Sequence, residues 1–310
     1  MVQDSELGVK RTLEELGINR STFYEWYKNY LDNGFEGLKP KTPNRKTFWN
    51  KIPEQERNRV IEVALDRQEL SPRELAFYIT DNQDWFISES SVYRILKERG
   101  LITSPAWIVM AAADEFKDKT RYVHQQWQTD FTYFKVIGWG WYYLATVMDD
   151  YSRYIITWEL CKNMESEDAK RVVGKAISEA GIADQERPRL LTDHGSCYIS
   201  REFKKFIEDE DFGHVQGAPY HPQTQGKIER YHRTMKNVVK LENYFFPDEL
   251  RSAIESFVHY YNHERYHESL DNMTPADVYY GRELEVKSRR HHTKMKTLKE
   301  RRSTNQKISA

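Results

Sequence analysis

Apolar positions in this chain recur at two spacings, and the change between them divides it. Up to about residue 105 they recur every three or four positions, the period of an amphipathic helix. VKRTLEELG reads as a short helix ended by Gly17, and Asn19 is a suitable N-cap for the next, RSTFYEWYKNYL. Phe23, Trp26, Tyr27 and Tyr30 fall on one stripe of it and are expected in a core, leaving Ser21, Thr22, Glu25 and Lys28 outward. A linker with Pro40, Pro43 and Pro53 follows. EQERNRVIEVALD then predicts a helix carrying Val60, Ile61, Ala64 and Leu65. Ser71-Pro72 opens a second helix running through Ile79, and Ser88 caps a third that ends at Gly100.

From Tyr122 the pattern alternates. WQTDFTYFKVI, WYYLATVMDD and RYIITWELC predict three strands in an antiparallel meander, with turns at Ile137-Gly138 and Asp150-Tyr151-Ser152. A helix follows, with Ala169, Val172, Val173, Ala176 and Ile177 inward. Strand RLLTD, helix REFKKFIEDE, a strand from Val215 to Ala218 and a helix from Lys227 come next. A further amphipathic helix carries Ile254, Phe257, Val258 and Tyr261. These shifts predict a helical unit at 1–38, short of the first helix of a trihelical motif, and a basic linker at 39–53. A second helical unit at 54–105, a connector at 106–121 and an α/β region with C-terminal helices at 122–282 follow. The basic tail at 283–310, poor in large apolar residues, is expected to be disordered without a partner.

The chemistry gathers between residues 190 and 236. An apolar run ends in Asp193, followed by a turn at Gly195, and Glu229 stands 36 positions later, since 229 − 193 = 36. Glu229 lies in the first turn of its helix, where a carboxylate suits the macrodipole. One carboxylate thus ends a strand and another opens a helix. A fold that brings them together builds half of a metal site, and Asp130, on an earlier strand, is the candidate third ligand. An Asp ending a strand is often a cap or turn residue, and taken singly Asp130 or Glu229 is better explained as structural. Asp149 and Asp150 compete as ligands but read better as the turn DDYSR. His194 and His221 are expected to hydrogen-bond or face a ligand rather than hold metal.

The ordered segments WQTD (127–130), DDYSR (149–153), TDHGS (192–196), HPQTQGKIER (221–230), YNHERYHESL (261–270) and TPA (274–276) resemble a bacterial insertion-sequence DDE transposase with a retroviral-integrase-type catalytic core. One departure is Cys197, where that family usually carries Gln or Glu; the position flanks a carboxylate and does not supply one. The resemblance implies a ribonuclease-H-like core, a mixed five-stranded sheet with helices, behind tandem helix-turn-helix domains. It implies Asp130, Asp193 and Glu229 as catalytic metal ligands for two Mg²⁺ or Mn²⁺ ions, with Asp130 bridging both. It implies metal-dependent cleavage of element ends by water, then joining of the freed 3′-hydroxyl to target DNA, by a homo-oligomer assembled on DNA.

Composition adjusts this picture in three places. The 310 residues are 39% apolar and 31% charged, enough for two or three packed domains. The net charge of −1 does not itself point to nucleic acid, but its distribution does. Residues 286–310 hold nine Lys or Arg against Glu300, and Lys39 to Lys51 hold five with no acidic residue. Cys161 and Cys197 share no metal or redox spacing and fit buried thiols in a reducing cytosol, and the resemblance implies a cytoplasmic protein that is nucleoid-associated when DNA-bound. No apolar run of about 18 residues occurs, so no membrane span is expected, and MVQDSELGVK lacks an apolar signal core.

The expected DNA contacts are Ser21, Thr22 and Lys28 on the first unit, Ser90 and Arg94 on the second, and Lys227, Arg230, Arg233 and Lys236 on the Glu229 helix. Arg233 and Lys236 lie four and seven positions after Glu229, on its face. A small helical packing module fits the first unit's spacing equally well, and a solvated basic face fits the last group. Two other functions stay open: a domesticated DNA-binding regulator that keeps the fold, and a hydrolytic nuclease of the same fold.

Overall fold

A computed structural model of the protein describes residues 7–39, 49–102, 120–182, 186–216 and 226–309. Most of the linker, most of the connector and the loop holding His221 lie outside the described residues. The chain divides into two compact units, Met1–Lys51 with Asn305–Ala310, and Ile52–Thr304.

In the first unit, α1 (Val9–Glu15) and α2 (Arg20–Asn33) are joined through Gly17, whose φ of +65° only glycine adopts without strain. The Asn19 side chain accepts a hydrogen bond from the Ser21 amide at 3.1 Å, the cap its position predicts. The expected core on α2 does not form. Phe23 and Tyr27 stack at 5.8 Å and are half-buried, while Trp26 is 50% exposed and Tyr30 stays at the surface. The reason is supply: α1 buries Leu13 but leaves Val9 exposed, which is too little apolar surface to cover four rings.

The second unit begins with α3 (Glu54–Asp66), α4 (Pro72–Asn82) and α5 (Glu89–Glu98). Ser71 and Glu74 form a reciprocal capping box on α4, and the Ser88 hydroxyl accepts from the Ser91 amide on α5. Val60, Leu75, Ile79, Ile87, Val92 and Ile95 close a small core. Val63 joins them in place of Leu65, which helical rotation turns to solvent.

The sheet has the order β3-β2-β1-β4-β5. β1 (Gln126–Val136), β2 (Gly140–Asp149) and β3 (Ile155–Cys161) form the antiparallel meander. α6 (Ser166–Ala180) crosses to β4 (Arg189–Thr192), which runs parallel to β1. α7 (Ser196–Ile199) and α8 (Arg201–Asp209) lead to β5 (Gly213–Gln216), parallel to β4. The predicted Val215–Ala218 strand therefore begins two residues earlier, and its last two residues lie outside the described ones. α9 (Gly226–Val239) and α10 (Pro247–His263) complete the core, and α11 (Pro275–Tyr279) follows. One apolar cluster, with Trp127, Val147, Val173 and Phe203, lies between the sheet and α6 to α8. Another, with Phe134, Leu144, Tyr231 and Ile254, joins the sheet to α9 and α10. This is the ribonuclease-H-like arrangement with its mixed five-stranded sheet. Edge strand β3 is held at one end by Asn262, whose amide accepts from the Ile155 N–H at 2.9 Å and donates to its carbonyl at 3.0 Å.

The C-terminal tail is ordered, contrary to expectation. Residues Glu283–Ser309 form α12. Its buried side is largely polar: Thr293, Thr297, Arg301 and Asn305 recur every four residues and are all buried. Within the second unit, the Thr297 hydroxyl accepts from the Phe86 amide at 2.9 Å. Arg301 donates to the Phe86 carbonyl and to Glu56, and Arg290 makes a two-pronged pair with Asp81. Hydrogen bonds replace the apolar stripe that would have announced the helix, and α12 fastens to α3 and the α4–α5 segment.

Asn262→Leu should lower stability by roughly 2–4 kcal/mol, because two buried backbone groups lose their partners. Leu65→Ala, at an exposed position, should change it by less than about 0.5 kcal/mol. Urea midpoints of the two variants check this pair.

Candidate active site

Asp130, Asp193 and Glu229 come from three elements that the sheet order draws together. β4 pairs with β1 only from Gln126 to Gln128, and Asp130 lies just beyond that pairing, opposite Thr146 of β2. Asp193 directly follows β4. Its Oδ1 accepts the Gly195 amide at 2.8 Å, so the turn after the strand orients the carboxylate. Glu229 is in the first turn of α9, which packs along β1.

The charges register this convergence. Burial, and after it the Asp130 carboxylate, push the Glu229 carboxyl above its usual range. The Asp193 carboxyl is also raised, by burial first and then by Asp130, with the Gly195 amide opposing. A carboxyl whose proton is held more tightly in the fold than in the unfolded chain destabilises the fold once pH rises above its ordinary range, and the penalty disappears as pH falls back. The negative charges therefore repel one another across the site, and a cation between them would relieve the repulsion. Among the described residues no three His, Cys, Asp or Glu side chains already enclose a metal position. The donor set, all oxygen and anionic, nonetheless fits a hard divalent cation.

His232 was not foreseen. It sits one turn after Glu229 and is buried, with Nδ1 3.3 Å from Asp130 Oδ2 and Nε2 3.3 Å from the Thr146 hydroxyl. It braces Asp130 from behind, and its i+3 position relative to Glu229 was the available signal. His194, beside Asp193, is exposed.

A clamp also missing from the sequence reading fixes the start of α9. The Lys227 ammonium donates to Asp150 Oδ2 at 2.5 Å and to the Asp150 carbonyl at 2.9 Å. The Gln128 amide donates to Asp150 Oδ1 at 2.5 Å and accepts the Ile228 N–H at 3.1 Å. Burial lowers the Lys227 pKa, with Arg153 adding to the effect. Lys227, expected at a DNA face, is thus directed inward, because the nearly buried Asp150 needs a cation. Asp149 is saturated in the same way, accepting from the His124 amide and from the Ser152 amide and hydroxyl. Both members of DDYSR are turn and clamp residues.

Asp130, Glu229, His232, Arg233, Lys236 and Lys240 line an open cleft of about 830 Å³ between β1 and α9. Arg233 and Lys236 stand beside the carboxylates, as helical spacing predicts. Arg230 is exposed on the neighbouring side of α9, where its charge acts on Arg153, Tyr261 and His267. On α5, Ser90 and Arg94 are exposed, and the Arg94 guanidinium donates back to the Ser90 carbonyl at 3.0 Å. On α2, the Ser21 hydroxyl donates to the Asn19 cap at 2.9 Å, Thr22 is half-buried and Lys28 exposed. Cys161 and Cys197 are free, buried thiols, each pushed up to about 11 by burial.

Comparison with known proteins finds similar domains along the chain. Residues 121–222 and 211–275 match two family models, each described as an integrase core domain. Residues 1–39 and 22–96 match homeodomain-like domains. The chain therefore carries an integrase-type ribonuclease-H-like core preceded by homeodomain-like helical segments. A Pol-related polyprotein of the mouse intracisternal A-particle MIA14 is 38% identical over 113 residues, 36% of this chain and 12% of the polyprotein. The Gag-Pro-Pol polyprotein of squirrel monkey retrovirus is 34% identical over 114 residues, 36% of this chain and 6% of its own length. The chain thus spans only a small part of these curated relatives. Among solved structures, the HTLV-2 integrase catalytic core in complex with magnesium is 21% identical, covering 51% of this chain and 97% of its own, at a TM-score of 0.40. A simian T-cell lymphotropic virus intasome chain is 19% identical, covering 71% of this chain and 74% of its own, at 0.46.

Lys227→Met should cost roughly 2–4 kcal/mol, toward the low side for a broken buried ion pair because the lysine keeps some exposure. It should also speed hydrogen exchange at the Ile228 amide, while Lys227→Arg should largely preserve both properties. Chemical denaturation together with amide exchange measures the two effects.

Proposed function

We propose that the protein is the transposase of a bacterial insertion sequence, binding the ends of a mobile DNA element and catalysing strand cleavage and strand transfer. The observation that carries this reading is that Asp130 and Glu229 line one cleft together with Arg233 and Lys236, while Asp193, at the end of the neighbouring strand, is close enough to Asp130 for its charge to be felt. The bacterial source rests on the ordered motifs, whereas the curated relatives above are retroviral. The homeodomain-like segments before the core support recognition of DNA ends through helices such as α5, with Ser90 and Arg94 outward. The two reduced thiols fit a cytoplasmic protein, nucleoid-associated when bound to DNA. Joining element ends to a target calls for more than one protomer, so a homo-oligomer on DNA is part of the proposal.

Asp130, Asp193 and Glu229 would hold two Mg²⁺ or Mn²⁺ ions. When bound, such ions neutralise phosphate charge and make a water or a 3′-hydroxyl a better nucleophile. The protein's own groups do the remaining work. Arg233 and Lys236 take non-bridging phosphate oxygens and hold the strand across the carboxylates. His232 fixes the rotamer of Asp130, and the Gly195 amide fixes that of Asp193. The Asp150 clamp holds the start of α9, and with it Glu229, against β1 before DNA arrives. No side chain forms a covalent intermediate. In cleavage, the water oxygen bonds to phosphorus as the bond to the leaving 3′-oxygen breaks. In joining, the freed 3′-oxygen attacks a target phosphate and displaces its 3′-oxygen.

Asp130→Asn, Asp193→Asn and Glu229→Gln should each abolish cleavage and joining while leaving the fold and DNA binding largely intact. The assay is metal-dependent processing of DNA carrying the element's own ends. Wild-type transfer by any one variant removes that residue from the site. End binding with no cleavage by the wild-type chain supports the regulator reading instead, and cleavage without joining supports the nuclease.

A further inference from the structure

At the far end of the same cleft, β1 and β2 present large aromatic rings to solvent. Tyr133 is 50% exposed and Trp141 is 52% exposed. Their rings meet edge to face, with centroids 5.4 Å apart. They come from diagonal positions of the hairpin: Tyr133 faces Tyr143, and Trp141 faces Lys135. Two cations from α9 lean onto the pair, the Lys236 ammonium 4.6 Å from the Tyr133 centroid and the Lys240 ammonium 5.7 Å from it. Burial beside Tyr133, then the neighbouring Lys240, lower the Lys236 pKa.

This composition differs from an ordinary solvent face in one respect. Two half-exposed aromatic rings and two lysines gather on one surface, and through Tyr133 it joins the cleft that also holds Asp130 and Glu229. Rings offer π-faces to a base while adjoining ammonium groups meet the phosphates on either side of it. A protein partner fits less well, because two lysines crowd the rings and the carboxylates among the lining residues, Asp130 and Glu229, are those assigned above to metal binding.

We infer that Tyr133 and Trp141 form a stacking platform for an unpaired base of the DNA strand lying in the cleft. The inference rests on the DNA-processing reading above and specifies how that DNA is held. Tyr133 lies three positions after Asp130, about 10 Å along a strand. At 3.4 Å per nucleotide, that places the platform about three nucleotides from a phosphate held at Asp130. The duplex must therefore be opened, or its end frayed, within this distance of the reacting bond.

The test measures binding by the full chain in metal-free buffer, where no cleavage intervenes. One probe is a fully paired oligonucleotide duplex, and the other is the same duplex with a few unpaired nucleotides at one 3′ end, one of them 2-aminopurine. Wild-type protein should prefer the tailed probe and change the 2-aminopurine emission through stacking. Tyr133→Ala and Trp141→Ala should each weaken tailed-probe binding roughly 5- to 100-fold, the span for one lost base stack, with paired-duplex binding nearly unchanged. Trp141→Phe should retain most of the preference. Neither aromatic variant should alter the salt slope, whereas Lys236→Ala should lower it by about one unit. Both rings are half-exposed, so melting temperatures should hold and a folding failure would be visible.

Equal affinity of wild type for both probes overturns the inference and leaves the DNA-processing reading in place. Unchanged affinities in both alanine variants, with altered sedimentation, also overturn it and assign the surface to a second copy of the chain. No binding of either probe by wild type contradicts the underlying reading itself.

Discussion

The relation between Glu229 and Asp130 depends on one carboxylate that belongs to neither. Asp150, in the turn directly after β2, holds Lys227 through its side chain and carbonyl, and holds Gln128 of β1 through its other oxygen. Gln128 in turn binds the Ile228 amide at the start of α9. A helix N-terminus carries amides without intrahelical partners, and here one of them is satisfied from the sheet. The helix is thereby tied to the sheet at the turn that presents Glu229. Because Asp150 is nearly fully buried, its charge is tolerable only with these partners in place. The same groups that settle a buried charge thus set the geometry of the site.

Around this clamp the site is organised by opposed charge. Asp130 raises the proton affinity of both Asp193 and Glu229, so the metal-free arrangement is electrostatically unfavourable by construction. Arg233 lowers the Glu229 pKa, while His232 braces Asp130 and also opposes the rise at Glu229. The cations stand along α9 in the order Arg233, Lys236, Lys240, leading away from the carboxylates along the cleft. A strand following that row would have its phosphates beside positive charge and its reacting bond beside the carboxylates. In the proposed function, this division would let one helix serve both as ligand and as track.

The elements read directly from the sequence are those whose inner faces are apolar. α6 buries the five residues its spacing predicts, and the three-strand meander and both serine caps of α4 and α5 are in place. The placement of Asp193 and Glu229 was legible because each punctuates an element: Asp193 follows the end of a strand and Glu229 opens a helix. α12 was not legible, because its buried positions are Thr293, Thr297, Arg301 and Asn305, and hydrophobic periodicity is blind to a polar stripe. α2 misled in the opposite direction, its aromatic stripe having too little apolar surface among the described residues of its unit to bury it. Lys227 was misassigned because its partner, Asp150, lies 77 positions earlier, beyond the reach of any local pattern. His232 was within reach of helical spacing from Glu229.

The central claim is that Asp130, Asp193 and Glu229 together form a divalent-cation site whose charges repel until it is filled. Thermal melting of the wild type and of Asp193→Asn at neutral pH, in chelator and then in Mg²⁺, tests this most directly. In chelator the variant should melt at or above the wild type, because a carboxylate that the fold disfavours has been neutralised while the Gly195 amide keeps an oxygen acceptor. In Mg²⁺ the wild type should rise and overtake the variant, which should respond little, since binding to the folded state alone stabilises it. A wild type indifferent to Mg²⁺, or a variant stabilised as much as the wild type, would contradict the account.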